Sequence, residues 1–207
     1  MALASFSTTL IGSSPERTAN LRLAAAALDG TELAPGEELS FNRQVGPRSL
    51  ERGYQRAPVI LRETRQLQLG GGVCQVASTL FDAGLLAGLV PVERWRHSTP
   101  VDYVALGEDA TIAWGAKDLR LRNDLDQRVR VRAELLGTTL TVRIEGESEP
   151  ADRFELETRE RDAVPGSAGA GREVELYRLR KSGDDTLDRE LMHRDVYPPS
   201  VAPAPEN

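Results

Sequence analysis

Aromatic residues are scarce in this sequence, at 5% of 207 residues, so any core must rest on Leu, Val, Ile and Ala. There is a single cysteine, Cys74, which excludes an internal disulfide framework and a cysteine-based zinc cluster. Only two histidines occur, His97 and His193, and they lie far apart. No close-spaced ligand set for a metal follows from them, and no Walker-type or dinucleotide fingerprint is present, so no cofactor is expected. Long apolar runs are missing too. Residues 23–28 form one of the longest, and they are too few to span a bilayer, so no membrane insertion is expected from this chain. Basic charge is in deficit: Lys+Arg 26 against Asp+Glu 32 gives a net charge of -6. That balance excludes a sequence-independent nucleic-acid binder, which needs a basic face to displace counterions from phosphate. The first ten residues have neither a basic n-region nor a long apolar h-region, so no signal peptide is expected in the chain as given. The compartment stays open between cytoplasm and envelope.

What is present reads as an α+β protein. Ser14 and Pro15 open a helix whose apolar face is Leu21, Ala24, Ala25 and Leu28, closed near Gly30. Residues 38–42 and 58–62 read as short strands, and residues 45–57 as an ordered loop. Gly70-Gly-Gly72 then breaks the chain before a second helix over residues 74–88. From residue 92 to 146 the periodicity falls to two: Val129, Val131 and Ala133 alternate with arginines, and Leu140, Val142 and Ile144 with polar residues. The expected arrangement is the cysteine helix packed on an antiparallel sheet built largely from residues 92–146, with Arg128, Arg130 and Arg132 on its solvent face. Residues 163–171 read as a linker. Residues 172–180 and 189–197 read as two strands of a short C-terminal β extension. The expected organisation is a domain over 1–149, the extension over 150–197 and a disordered tail over 198–207.

The segment richest in chemistry is Gly70-Gly-Gly-Val-Cys-Gln-Val-Ala-Ser-Thr-Leu80. Glycines permit close backbone approach and lead straight into a helix whose first turn carries the only thiol. Free N–H groups and partial positive charge at a helix N-terminus favour thiolate over thiol, and the same N–H groups suit an oxyanion. Papain-like and transglutaminase-like enzymes place a cysteine there, followed by a histidine on the sheet and an acid or amide that orients it. Here His97 ends a strand-like run from Pro91, and Asp102, Asp109 and Asp118 follow. Two other roles fit the same residues. Cys74 is also compatible with a small core hydrophobe, and the glycine loop with a carboxylate-binding turn. His193 has no evident partner and reads as a surface residue.

Many short motifs in order resemble the VanW family. They include Leu33-Ala-Pro-Gly-Glu-Glu-Leu-Ser-Phe-Asn42, Val45-Gly-Pro-Arg48, Arg52-Gly-Tyr54, the Gly70 to Leu80 segment, His97-Ser98, Asp102-Tyr103-Val104, Gly107-Glu-Asp-Ala-Thr111 and Lys117-Asp-Leu119, within about residues 5–146. The resemblance implies a bacterial protein linked to vancomycin B-type resistance clusters and to the cell envelope. It strengthens Cys74 as nucleophile, with His97 as base and Asp109, or failing it Asp118, as orienting acid. Gly70, Gly71, Gly72, Gln75, Ser78 and Tyr103, inside the shared motifs, are the expected substrate-binding residues. The expected substrate is an amide bond of a peptidoglycan stem peptide, or of a related envelope peptide, processed through a thioester. A non-catalytic peptide- or glycan-binding module is the alternative.

Overall fold

The computed structural model describes residues 1–10, 12–61, 64–149, 152–162 and 171–198. The expected linker at 163–171 therefore lies almost wholly outside the described residues, as does the expected tail beyond 198.

A four-stranded antiparallel sheet forms the base, from β1 (Ala2–Thr9), β2 (Glu32–Leu33), β8 (Val129–Leu136) and β9 (Thr139–Gly146), in the order β1-β9-β8-β2. The β8–β9 hairpin turns at Gly137, where φ is +58°, and keeps register from Leu136↔Thr139 to Val129↔Gly146. Period-two alternation puts Val129, Val131, Leu140, Val142 and Ile144 on one buried face. Arg130 and Arg132 lie on the other, ion-paired with Glu32, Asp29 and Glu145. β1 was not legible as a strand, yet it supplies an edge of this sheet, because Ala4, Phe6 and Thr8 alternate inward with Ser5, Ser7 and Thr9 outward. The sheet under the second helix is thus built largely from residues 92–146, as expected, with β1 and β2 added at its edges from the start of the chain.

Two helices lie on the apolar face. α1 (Pro15–Leu28) covers β8, its first turn capped by the Ser14 hydroxyl accepting from Arg17 N. α3 (Val73–Leu86) covers β1 and β9 and packs beside α1. Nearly every residue of α3 is buried, so it is an internal helix. Leu80, Phe81 and Leu85 are fully covered, each contributing about 1.5–3 kcal/mol by removal from water.

The remaining elements clasp this core. β3 (Glu38–Ser40), β6 (Val90–Glu93) and β7 (Arg120–Arg122) form a small sheet in the order β3-β7-β6. The expected strand over 38–42 stops at Ser40, whose hydroxyl accepts from Arg43 N and opens a short helix, α2 (Phe41–Val45). β4 (Arg56–Leu61) and β5 (Thr64–Leu69) form a hairpin that delivers the chain to the glycine triplet. β10 (Arg153–Asp162), β11 (Arg172–Ser182) and β12 (Asp185–Tyr197) make a three-stranded antiparallel sheet, one strand more than expected. Among the described residues no helix is long and apolar enough to cross a membrane.

Candidate functional site

The site begins at the glycine triplet. Gly71 lies so close to β4 that a Cβ there would stand 2.4 Å from Ala57 O. Gly72 caps α3 with φ +100°, and a Cβ on it would meet Leu21 at 2.4 Å and Arg17 at 2.7 Å. Only glycine fits either position. Asn20 of α1 locks the turn, donating to Gln55 O at 2.9 Å and Gly71 O at 3.0 Å and accepting from Gln55 N at 2.8 Å. Cys74 follows as the second residue of α3, half-buried, its Sγ 3.8 Å from Ile112 O.

His97 comes from the irregular segment after β6; the strand ends at Glu93, not at the histidine. The Asp109 carboxylate accepts twice through Oδ2, from His97 N and from His97 Nδ1, both at 2.6 Å. That pair of bonds fixes the ring and leaves Nε2 without a hydrogen-bond partner among the described residues, and the thiol lies near enough for Cys74 and His97 to act on each other's ionisation. Cys74, His97 and Asp109 thus belong to one cluster, in which Asp109 holds the His97 ring and His97 acts on the ionisation of Cys74.

Two further residues hold Asp109, and a third stands behind them. Arg94, its side chain 7% exposed, reaches Asp109 Oδ1 at 3.0 Å and Asp109 O at 2.7 Å, and pairs also with Asp195. The hydroxyl of Tyr197 donates to Asp109 Oδ1 and accepts from Gly107 N at 3.1 Å. His193 is not a free surface residue. Its Nε2 lies 2.8 Å from Gly107 O and 3.4 Å from Asp195 Oδ2, and its ring stands 6.0 Å from that of Phe81. β12 thus contributes three polar side chains to the wall behind the site.

The electrostatics follow from that wall. Burial works to raise the Asp109 carboxyl, but the His97 hydrogen bonds, the Arg94 charge and the Tyr197 hydroxyl hold it down at about 2. Burial works to lower the His97 imidazole, yet its bonds to Asp109 and the nearby Cys74 bring it up to about 9. Burial likewise opposes ionisation of Cys74; the nearby His97, the Ile112 contact and Arg48 outweigh it, and the thiol lies below its ordinary value. A thiolate–imidazolium pair is the state these groups favour together.

The other expected residues divide. Tyr103 is half-buried at the site, its ring edge-on to His97 with centroids 6.4 Å apart. Gly70, Gly71 and Gly72 shape the entry to α3 as described. Gln75 points inward: fully buried, it donates to Thr8 Oγ1 at 3.0 Å and Thr9 O at 3.1 Å and accepts from Arg17 at 2.7 Å, so it anchors β1 and is not open to a substrate. Ser78 is also buried, bonded to Cys74 O at 3.0 Å and to Ala110 N at 2.9 Å, and ties α3 to the segment that carries Asp109. Asp118 does not orient His97. It accepts from Ser40 Oγ at 2.5 Å, Asn42 N at 2.8 Å and Leu119 N at 2.9 Å, and so holds the start of α2. Arg94, Asp195 and Tyr197 were not legible as site residues. The only signal for the last two was their presence in the Arg-Asp-Val-Tyr197 motif at the end of the chain.

The VanW-like protein family model matches residues 16–145, which include all of Cys74, His97 and Asp109 but not β12. Among curated proteins the chain is 41% identical over 130 residues to the uncharacterized protein YoaR of Bacillus subtilis, covering 63% of this chain and 43% of that one. It is 27% identical over 166 residues to the vancomycin B-type resistance protein VanW of Enterococcus faecalis, covering 78% of this chain and 60% of that one. The matched region thus spans less than two thirds of each relative. No solved structure matches, so likeness to papain or transglutaminase has no support from a known fold.

Proposed function

Since the chain belongs to the VanW-like family, we propose that it acts in the bacterial cell envelope as a thiol-dependent acyl-transfer or amide-hydrolysing enzyme on peptidoglycan stem peptides or related envelope peptides. The observation that carries this reading is the clustering of Cys74, His97 and Asp109 at the entry of α3, with Asp109 fixing the His97 ring and His97 acting on the thiol. In the first step the Cys74 thiolate attacks an amide carbonyl. The helix N-terminus faces the resulting oxyanion, and the His97 imidazolium gives its proton to the departing amine, leaving a thioester. In the second step His97 takes a proton from water or an acceptor amine, which displaces the thiol. Asp109 keeps the ring oriented and its positive charge stabilised throughout. A papain- or transglutaminase-like core is part of this proposal on the order of these groups along the chain.

The test is to incubate the protein with purified stem peptides and look by intact-mass spectrometry for a thioester on Cys74. An adduct that forms in the parent protein and is missing in Cys74→Ala supports the reading. A native thiol that neither acylates nor alkylates overturns it in favour of a non-catalytic binding module.

A further inference from the structure

Two arginines stand beside Cys74 in a way the triad does not require. Arg17, on α1, lays its stem over Gly72, and Arg48 lays its stem over Gly70, where a Cβ would meet Arg48 Cγ at 2.6 Å. The glycine triplet is therefore the floor on which both side chains rest. Arg17 Nη2 bonds Gln75, the neighbour of Cys74 in sequence, at 2.7 Å, and Nη1 bonds Ser13 at 2.8 Å. Arg48 Nη1 bonds Asn42 Oδ1 and Gly46 O, both at 2.9 Å. All these partners are neutral. Among the described residues neither guanidinium forms an ion pair, whereas Arg94, Arg120, Arg130 and Arg178 each face a carboxylate. Nε of Arg17, and Nε and Nη2 of Arg48, find no acceptor among the described residues, so Arg48 keeps a two-nitrogen edge that suits a carboxylate and Arg17 keeps one donor beside it. Both side chains are half-buried and act electrostatically on the Cys74 sulfur.

We infer that Arg17 and Arg48 form a carboxylate-binding pair beside the thiol, so that the acyl donor processed at Cys74 carries a carboxylate close to the bond attacked. This rests on the nucleophile reading of Cys74 and narrows its substrate to anionic peptides. The carboxylate belongs to a chain terminus or to an acidic side chain; the chemistry of recognition is the same.

The experiment compares two reagents that transfer the same carbon to sulfur with loss of iodide, iodoacetate and iodoacetamide. Only the first carries a carboxylate. Their rate ratio, taken within each variant, cancels the fraction of thiolate. In Arg17→Gln and in Arg48→Gln the iodoacetate-to-iodoacetamide ratio should fall roughly tenfold, the loss of one charge-assisted hydrogen bond. Arg48→Lys, which keeps charge and stem, should retain part of the preference. A ratio unchanged in folded Gln variants, with iodoacetamide still reactive, overturns the carboxylate pair and leaves the nucleophile standing. A parent thiol inert to iodoacetamide overturns both. Protection of Cys74 from iodoacetamide by N-acetyl-Ala-Ala or by N-acetyl-Asp-amide then identifies the source of the carboxylate. Protection no greater than by N-acetyl-Ala-Ala-amide overturns the inference.

Discussion

The hydroxyl of Tyr197, at the end of the last strand, donates a hydrogen bond to Oδ1 of Asp109, 88 residues earlier in the chain. The C-terminal sheet is thereby built into the site, although it lies outside the matched family region. Tyr197→Phe removes this donor together with the acceptor for Gly107 N. At neutral pH the variant should lose about 1–3 kcal/mol, since two buried groups lose a partner. Asp109 has a folded value of about 2, below its ordinary 3.8, so its bonds stabilise the fold above pH 3.8 and are lost as pH falls through about 2. The difference between parent and variant should therefore shrink below that upper value. Urea unfolding at several pH values measures it, and a pH-independent difference would contradict the role assigned to the hydroxyl.

Alkylation of Cys74 by iodoacetamide should titrate below the free-thiol value of about 8.5. His97→Ala should move that titration upward, and Asp109→Asn should move it less, because it acts through the ring. His97 itself lies raised at about 9, so the stability its interactions add is present below its ordinary 6.5 and is lost as pH rises through about 9. Thermal melts of His97→Ala should accordingly converge on the parent above that pH.

Arg94→Met should be among the most destabilising single changes. It removes the cation that the buried Asp109 and Asp195 carboxylates share, at a cost of about 3–5 kcal/mol. Removing Asp195 as well should recover part of the loss, which a double-mutant cycle by denaturant titration measures.

Gly71→Ala should impair folding without touching any titratable group. Its methyl would stand 2.4 Å from Ala57 O, backbone that cannot yield cheaply. The expected result is a lowered melting temperature with an unshifted alkylation pH profile in whatever fraction folds. An unchanged melt would mean that β4 and the glycine triplet lie further apart than described.

Asp82 lies inside α3, and neither of its carboxyl oxygens meets a hydrogen-bond partner among the described residues. Burial, then the charge of Glu108, push this acid well above its ordinary 3.8. A folded value above the unfolded one makes stability fall as pH rises past 3.8. Asp82→Asn should flatten that fall and raise the melting temperature at neutral pH relative to the parent. Equal slopes of stability against pH in both proteins would show Asp82 ionised and solvated.

The elements legible in the sequence are those whose cause is local. Ser14 and Pro15 start α1 by satisfying and removing orphan donors, and the glycine triplet marks the entry of α3. Alternation sets β8 and β9, with Gly137 at their turn. The placement of Cys74 at a helix N-terminus belongs to the same class. What only the tertiary structure decided depends on partners remote in the chain. β1 is rich in Ser and Thr, and it becomes a strand because β9 offers it a ladder and α3 covers it. Asp109 and Asp118 are both candidates in the sequence, Asp109 the first and Asp118 the second. One reaches His97 because Arg94 and Tyr197 hold it there, while the other is consumed by Ser40 and Asn42 at the start of α2. The inward turn of Gln75 and the unpaired state of Arg17 and Arg48 have the same origin. A side chain's chemistry is written in its residue type, but whether its polar atoms are spent on the protein or left free is settled by what packs around it.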